Sequence, residues 1–250
     1  MFGLLPAPHF KSFSYSQWSL CCAGLIGLMW LVSLVATFAF FDAQIPLVFW
    51  LWAILIRTFL HTGLFIVAHE AIHRNISSLP GVNDAFGYVT SWLYALLPYR
   101  LLAKHHRFHH RFPATEYDPD YCDPGRSGFW SWYVKFMKTY QSGRQIWVSL
   151  AGFAIVFCGF LLCQIPLMNV ILFWILPIVL SSLQLFTFGI FLPHRQADSG
   201  SSCGPPTRSI NLPAFWSFIT CYHFGYHREH HLNPHLPWYQ LPQVYGNGEV

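Results

Sequence analysis

Only 10% of the 250 residues are charged, against roughly 25% in soluble domains, while 54% are hydrophobic and 19% aromatic. That balance excludes an ordinary water-facing surface and places the chain among integral membrane proteins. A formal net charge of +4, with no basic run interleaved with aromatics, excludes nucleic acid as a partner. Against this background stand 14 His, as many as all Lys and Arg together, a combination that points to metal chemistry at a membrane.

In chain order, four apolar stretches are long enough to cross a hydrocarbon core, which takes about 20 helical residues. They are Trp18 to Phe41, Ile45 to Ala68, Ile146 to Ile165 and Leu167 to Leu192. Lys11 precedes the first and no small-residue cleavage site follows, so it reads as a retained span. Short connections at Asp42 to Pro46 and around Pro166 pair the four into two hairpins. The predicted fold is all-α, a single domain over 1–250, with a histidine-rich helical cap formed by 69–145 and 193–250.

Thirteen of the 14 Lys and Arg lie before the first span, between Arg74 and Arg144, or from Arg195 onward. The positive-inside rule then puts both termini and the cap on the cytoplasmic side. Arg57 is the exception, and its cost in lipid demands that it face the bundle or a partner. Ala85 to Leu102 is apolar but holds Gly87 and Pro98, which suggests an interfacial or re-entrant piece. The cysteines form no zinc pattern: Cys21 and Cys22 are adjacent, and Cys158 and Cys163 sit in apolar runs.

Three histidine clusters fall on the proposed cytoplasmic side. His69 and His73 (H-E-A-I-H) are spaced i, i+4; His106, His109 and His110 (K-H-H-R-F-H-H) are spaced i, i+3, i+4, and His227, His230 and His231 (H-R-E-H-H) repeat that spacing. Such spacings stack imidazoles on one side of a helix, where three nitrogens of one box could converge on one metal. H-E-A-I-H also matches the H-E-x-x-H of zinc proteases, which keeps zinc open. Eight clustered histidines exceed one tetrahedral site, so two metal ions fit the count better, and imidazole alone does not choose between zinc, copper, iron and nickel. His9, His61 and His235 stand outside the clusters and are not expected to be ligands.

The pattern H-x3-H, H-x2-HH, H-x2-HH resembles the membrane di-iron superfamily of fatty-acid desaturases, alkane hydroxylases and carotenoid oxygenases. More specifically, D-P-D at 118 to 120, F-L-P-H at 191 to 194 and S-F-I-T-C-Y-H-F-G-Y-H-R-E-H-H at 217 to 231 resemble the bacterial and cyanobacterial β-carotene ketolases. The likeness runs from about His69 to Pro242. It implies oxidation of C4 of a β-ionone ring to a ketone, taking β-carotene through echinenone to canthaxanthin. Two iron ions, molecular oxygen and external electrons, from a ferredoxin, would be required.

Carried over, the resemblance makes His69, His73, His106, His109, His110, His227, His230 and His231 iron ligands, with His194 as a ninth. His105 could replace His106, and His223 is either a further ligand or a donor to one. Asp118 and Asp120 would serve activity or orient a ligand histidine, though D-P also marks turns. Cys122 stands where relatives carry a histidine, which puts an auxiliary role there in doubt. Glu70 and Glu229 could support ligand histidines or be helix-terminal charges. The aromatic residues divide between lipid-facing positions and a long apolar tunnel, in proportions the sequence does not reveal.

Two other classes of function compete with this one. A related di-iron enzyme could act on acyl chains or hydroxylate carotenoid at another carbon. A metal carrier should line its spans with polar groups, and a haem protein would need one or two axial histidines; clusters at one surface favour an enzyme. The sequence contains no flavin, nicotinamide or iron-sulfur motif, so electrons should come from a separate protein.

Overall fold

The computed structural model describes residues 13–42, 44–121, 127–141, 143–195 and 207–247. Lys11, His9 and Cys122 lie outside the described residues. The described chain is helical: α1 (Phe13–Phe40), α2 (Leu47–Ile72), α3 (Pro80–Ala95), α4 (Tyr99–Arg111), α5 (Phe129–Tyr140) and α6 (Arg144–Leu162). A long α7 follows (Leu167–His194), then α8 (Ala214–Cys221), α9 (His227–Leu232) and α10 (Leu241–Asn247). Four of these, α1, α2, α6 and α7, are long and apolar enough to cross a membrane.

Proline punctuates the helices. Pro46 and Pro166 directly precede α2 and α7, and Pro80 opens α3, where a missing N–H costs nothing. The piece expected as one interfacial element over 85–102 is instead two helices. Leu96 adopts a left-handed conformation (φ 53°) that ends α3, and Pro98 sits just before α4. The break follows from Pro98, whose ring disfavours helix at the residue before it. It also turns α4 into a separate helix that is free to aim its histidines at α2.

The second helix runs four residues past its expected end, to Ile72, so His69 is helical and His73 is its C-terminal cap residue. It packs on α1, α3, α4 and α7. Leu60 and Leu64 meet Trp30, Tyr94, Trp174 and Tyr222 in the largest core cluster. By contrast α6 is loosely held, with only Ser149 fully buried.

Two π-helical turns, Ile171–Ile175 and Phe186–Phe191, interrupt α7. Each lies just before a proline, Pro177 or Pro193. A helical proline leaves the carbonyl four residues earlier without its amide partner, and for Pro177 that carbonyl is Phe173. Arg57, fully buried, donates from Nε to the Phe173 carbonyl at 2.9 Å and from Nη1 to the Trp30 carbonyl at 2.8 Å. The arginine of this spanning-length helix thus faces the bundle and meets the carbonyl that Pro177 leaves open. Arg57→Leu should destabilise the protein by about 1–3 kcal/mol, the cost of one orphaned buried acceptor. The loss should shrink in a Pro177→Ala background, where an amide returns to Phe173. Thermal unfolding in detergent of the two single variants and the double variant measures this, and equal losses with and without Pro177 would contradict it.

Candidate metal centre

The last turn of α2, α4, the end of α7 and α9 converge on one region and bring together all nine histidines of the expected ligand set. Six are buried: His69, His106, His109, His194, His227 and His230. They separate into two groups. His69, His73, His106, His110 and His230 offer ring nitrogens all within 4.8 Å of one another, as do His109, His227 and His231. His194 joins the second group, its Nε2 lying 3.0 Å from His227 Nε2.

His69 and His73 both serve the first group, but each three-histidine box is divided between the two groups, contrary to the expectation that three nitrogens of a box meet at one metal. At 100° per residue, positions i and i+4 lie 40° apart, whereas i+3 points about 60° to the other side of i. His106 and His110 therefore face the first group and His109 the second. In α9 the pair His227 and His231 faces the second group and His230 the first. The stacked rings of His110 and His231, with centroids 4.1 Å apart, mark the seam between the groups.

The nitrogen geometry tests whether these residues suit a metal. His109, His227 and His231 form a triangle of Nε2 atoms with sides of 3.3, 3.1 and 3.0 Å. In the first group Nε2 separations are 2.7 Å for His73 and His106 and 3.0 Å for His110 and His230. An imidazole nitrogen carries one proton or one lone pair, so three mutually facing nitrogens cannot all be joined by hydrogen bonds. His69 Nε2, buried in the first group, has no hydrogen-bond partner at all. A cation in each group would give such facing nitrogens a common partner, and metal–nitrogen bonds of about 2.0–2.1 Å would put neighbouring ligand atoms about 3 Å apart. The donor set fits.

Charge state agrees with that reading. Burial, helped by neighbouring histidine charge, pushes His73 down to about 4 and His110 to about 3. His106, His227, His230 and His231 are held well below the usual range by the same causes. Neutral imidazoles are what metal ligation requires. His109 differs: burial alone would lower it, but the Asp118 hydrogen bond and the charges of Asp120 and Asp118 raise it.

Asp118 accepts from His109 Nδ1 at 3.0 Å, and from the backbone amides of Ala114 and Asp120 at 2.9 Å. The turn expected around D-P-D is present, and the same carboxylate holds the His109 ring. Fixing the proton on Nδ1 leaves His109 Nε2 for a metal. The His109 contact and the two amides outweigh burial and hold the Asp118 carboxyl below the ordinary carboxylate range. Asp120, 3.6 Å from the same Nδ1, is lifted by burial to about 6, and Tyr140 donates to it at 3.0 Å.

His106, not His105, joins the cluster; the His105 ring packs edge-on against Tyr140 at 5.0 Å. His223 does not sit one helical turn before His227, because Tyr222 and His223 are left-handed (φ 49° and 61°) and break the register. Its ring packs against Phe218, Tyr226 and Trp238, and its Nδ1 is buried without a hydrogen-bond partner. Glu70 lies 3.5 Å from the Nδ1 of His69, while Glu229 accepts from the Ser209 hydroxyl. His61 stays in the bundle interior, accepting from the Trp30 indole at 3.1 Å.

A cavity of about 200 Å³ opens beside the clusters, lined by His69, His106, His109 and His227 and otherwise mostly by apolar side chains. Tyr140 and Asp120 supply polar groups on its wall. Sequence reasoning missed Tyr140, although the aromatic stripe Phe129, Trp132, Tyr133, Phe136 and Tyr140 runs along α5 at helical spacing and pointed toward an interior face.

A family profile described as fatty acid desaturase matches residues 44–149 and 128–247. The chain therefore belongs to the fatty acid desaturase family, a class of membrane protein consistent with its four spanning-length helices. Two β-carotene ketolases from strains of Paracoccus are 37% and 38% identical to it, over 93% and 88% of this chain and 94% and 89% of theirs. A zeaxanthin 4-ketolase of Chlamydomonas reinhardtii is 34% identical over 74% of this chain and 41% of its own length. Within the desaturase family the chain belongs with the β-carotene ketolases, and it is an oxidoreductase.

Proposed function

We propose that this protein oxidises C4 of the β-ionone ring of β-carotene to a ketone, through echinenone to canthaxanthin. The observation that carries the reading is the pair of inward-facing imidazole groups at the edge of an apolar cavity, joined to the Paracoccus likeness. His69, His73, His106, His110 and His230 would hold one iron ion, and His109, His194, His227 and His231 a second. Together, with molecular oxygen and external electrons, these ions would supply the oxidising power for an allylic C–H bond.

The chain's own residues do the rest. Apolar side chains exclude water and seat the ring edge beside the histidines, which turns a random encounter into a held geometry. Asp118 keeps His109 in one tautomer, and Asp120 with Tyr140 gives the cavity a polar wall facing the reacting end. Hydroxylation twice at C4 yields a geminal diol that loses water to become the ketone. Two transmembrane hairpins would place the cap and both termini at the cytoplasmic face, within reach of a ferredoxin. Arg100, Lys104, Arg107 and Arg111 form an exposed basic stripe on α4, opposite its ligand histidines, and suit an acidic carrier.

The test is expression in a bacterium that accumulates β-carotene, with the wild type beside His230→Ala, followed by pigment separation and mass analysis. Ketone-bearing pigment from the wild type alone is the expected outcome. Unchanged β-carotene, with the protein present in the membrane, would refute this reading and favour a hydroxylated carotenoid or an acyl chain as substrate.

A further inference from the structure

The site cavity has a neighbour. A second apolar cavity of about 390 Å³ lies between α6 and α7, lined by Ala154 and Phe157 on one side and Trp174, Ile175, Ile178 and Val179 on the other. Ile178 and Val179 also line the cavity beside the histidines. The two spaces are therefore neighbours, bordered in common by these side chains. From Trp174 to Leu185 one face of α7 leads from the outer cavity to the inner one, about 16 Å at 1.5 Å per residue.

The outer cavity is at the apolar surface of two spanning-length helices. Val179 is 46% exposed and the neighbouring Ile155 of α6 is 72% exposed, and α6 itself buries only Ser149 fully. A loosely packed helix beside a long one leaves a lateral groove, in a part of the molecule where lipid is the solvent. The inner cavity, at about 200 Å³, is smaller than the roughly 300–1,000 Å³ that encloses a drug-sized ligand. It has room for one end of a long molecule and not for its length.

We propose that the groove between α6 and α7 binds the polyene arm of the carotenoid and is its lateral doorway from the bilayer, with Ile178 and Val179 as the threshold. This rests on the carotenoid reading above. A stiff apolar rod cannot fold into the inner cavity, so it enters end-on, one ring advancing to the histidines while the arm stays in the groove and the far ring stays in lipid. Both rings cannot be oxidised in one binding event. The single-ketone product must leave and return with its other end first, which makes it a released intermediate.

Val179→Trp fills the threshold, and Ala154→Trp fills the groove from α6, away from the inner cavity. Three quantities are read for each: β-carotene turnover, β-carotene co-purifying per protein by visible absorbance, and metal bound per protein. Turnover and co-purified pigment should both fall about tenfold or more, equivalent to about 1.4 kcal/mol, with metal content unchanged. Should Val179→Trp lose metal through damage to the site, Ala154→Trp decides. Wild-type turnover and pigment in Ala154→Trp would overturn the doorway. A wild-type protein that leaves β-carotene untouched would instead refute the carotenoid reading, and the two failures are told apart by that control.

Discussion

With two irons held as proposed, His227→Ala should abolish ketone formation and reduce bound metal from two ions toward one. The reason is geometric: His227 Nε2 lies 3.0 Å from His194, 3.1 Å from His231 and 3.3 Å from His109, at the hub of the second group. Removing it leaves three imidazoles around an open space. Loss of turnover should exceed about 100-fold, the upper end of what losing an outer-shell partner costs. The first group has no member in this variant's path, so its ion should remain. Metal analysis of purified protein together with pigment yield checks both halves. A variant that holds two ions and turns over at the wild-type rate would remove the two-group assignment. The cap should still fold, because the core cluster beside it is built by Leu64, Tyr94, Tyr222 and Phe224 rather than by the histidines.

Asp118→Asn tests the positioning of a ligand rather than the ligand itself. Asp118 accepts from His109 Nδ1 and from two backbone amides, a load that needs both carboxylate oxygens. An amide has one acceptor oxygen and must aim its NH2 at a donor, so at least one of the three contacts becomes repulsive. The ring of His109 then loses its fixed tautomer. Metal affinity and turnover should each fall about 10–100-fold, while Asp118→Ser, which keeps one acceptor, should also fail. A metal titration separates this from general unfolding: loss should be confined to one of two ions. Wild-type affinity for both would reduce Asp118 to a turn residue.

Much of this protein was legible from pattern alone. The four spanning-length helices declared themselves because a hydrocarbon environment requires unbroken apolar runs, and the structure has them at Ser16–Phe40, Leu47–Ile72, Arg144–Leu162 and Leu167–His194. Their ends shifted by a few residues, since helix termini depend on caps and neighbours more than on hydropathy. Eight of the nine histidines were equally visible, being polar residues at helical spacing in an apolar chain, whereas His194 stands alone in F-L-P-H and came only with the family resemblance. The split at Pro98 was less so, because Ala85 to Leu102 is apolar on both sides of the break and a single left-handed residue, Leu96, decides where α3 stops.

Local sequence could not show which histidine faces which. Spacing of i, i+3, i+4 is compatible with one metal per box or with a division between two, and the choice rests on which helices stand opposite. Once α2 presents His69 and His73 to α4, and the end of α7 presents His194 to α9, the 100° step of each helix sends His106, His110 and His230 one way and His109, His227 and His231 the other. His223 shows the opposite case, a residue at ligand spacing that two left-handed backbone positions turn into an aromatic pocket. The sequence by itself determined the membrane class, the clustered histidines and the family likeness, because each depends on composition or on short-range motifs. Only the tertiary structure decided the grouping of the histidines, the hold of Asp118 on His109 and the two cavities that share Ile178 and Val179, because these are contacts between segments far apart in the chain.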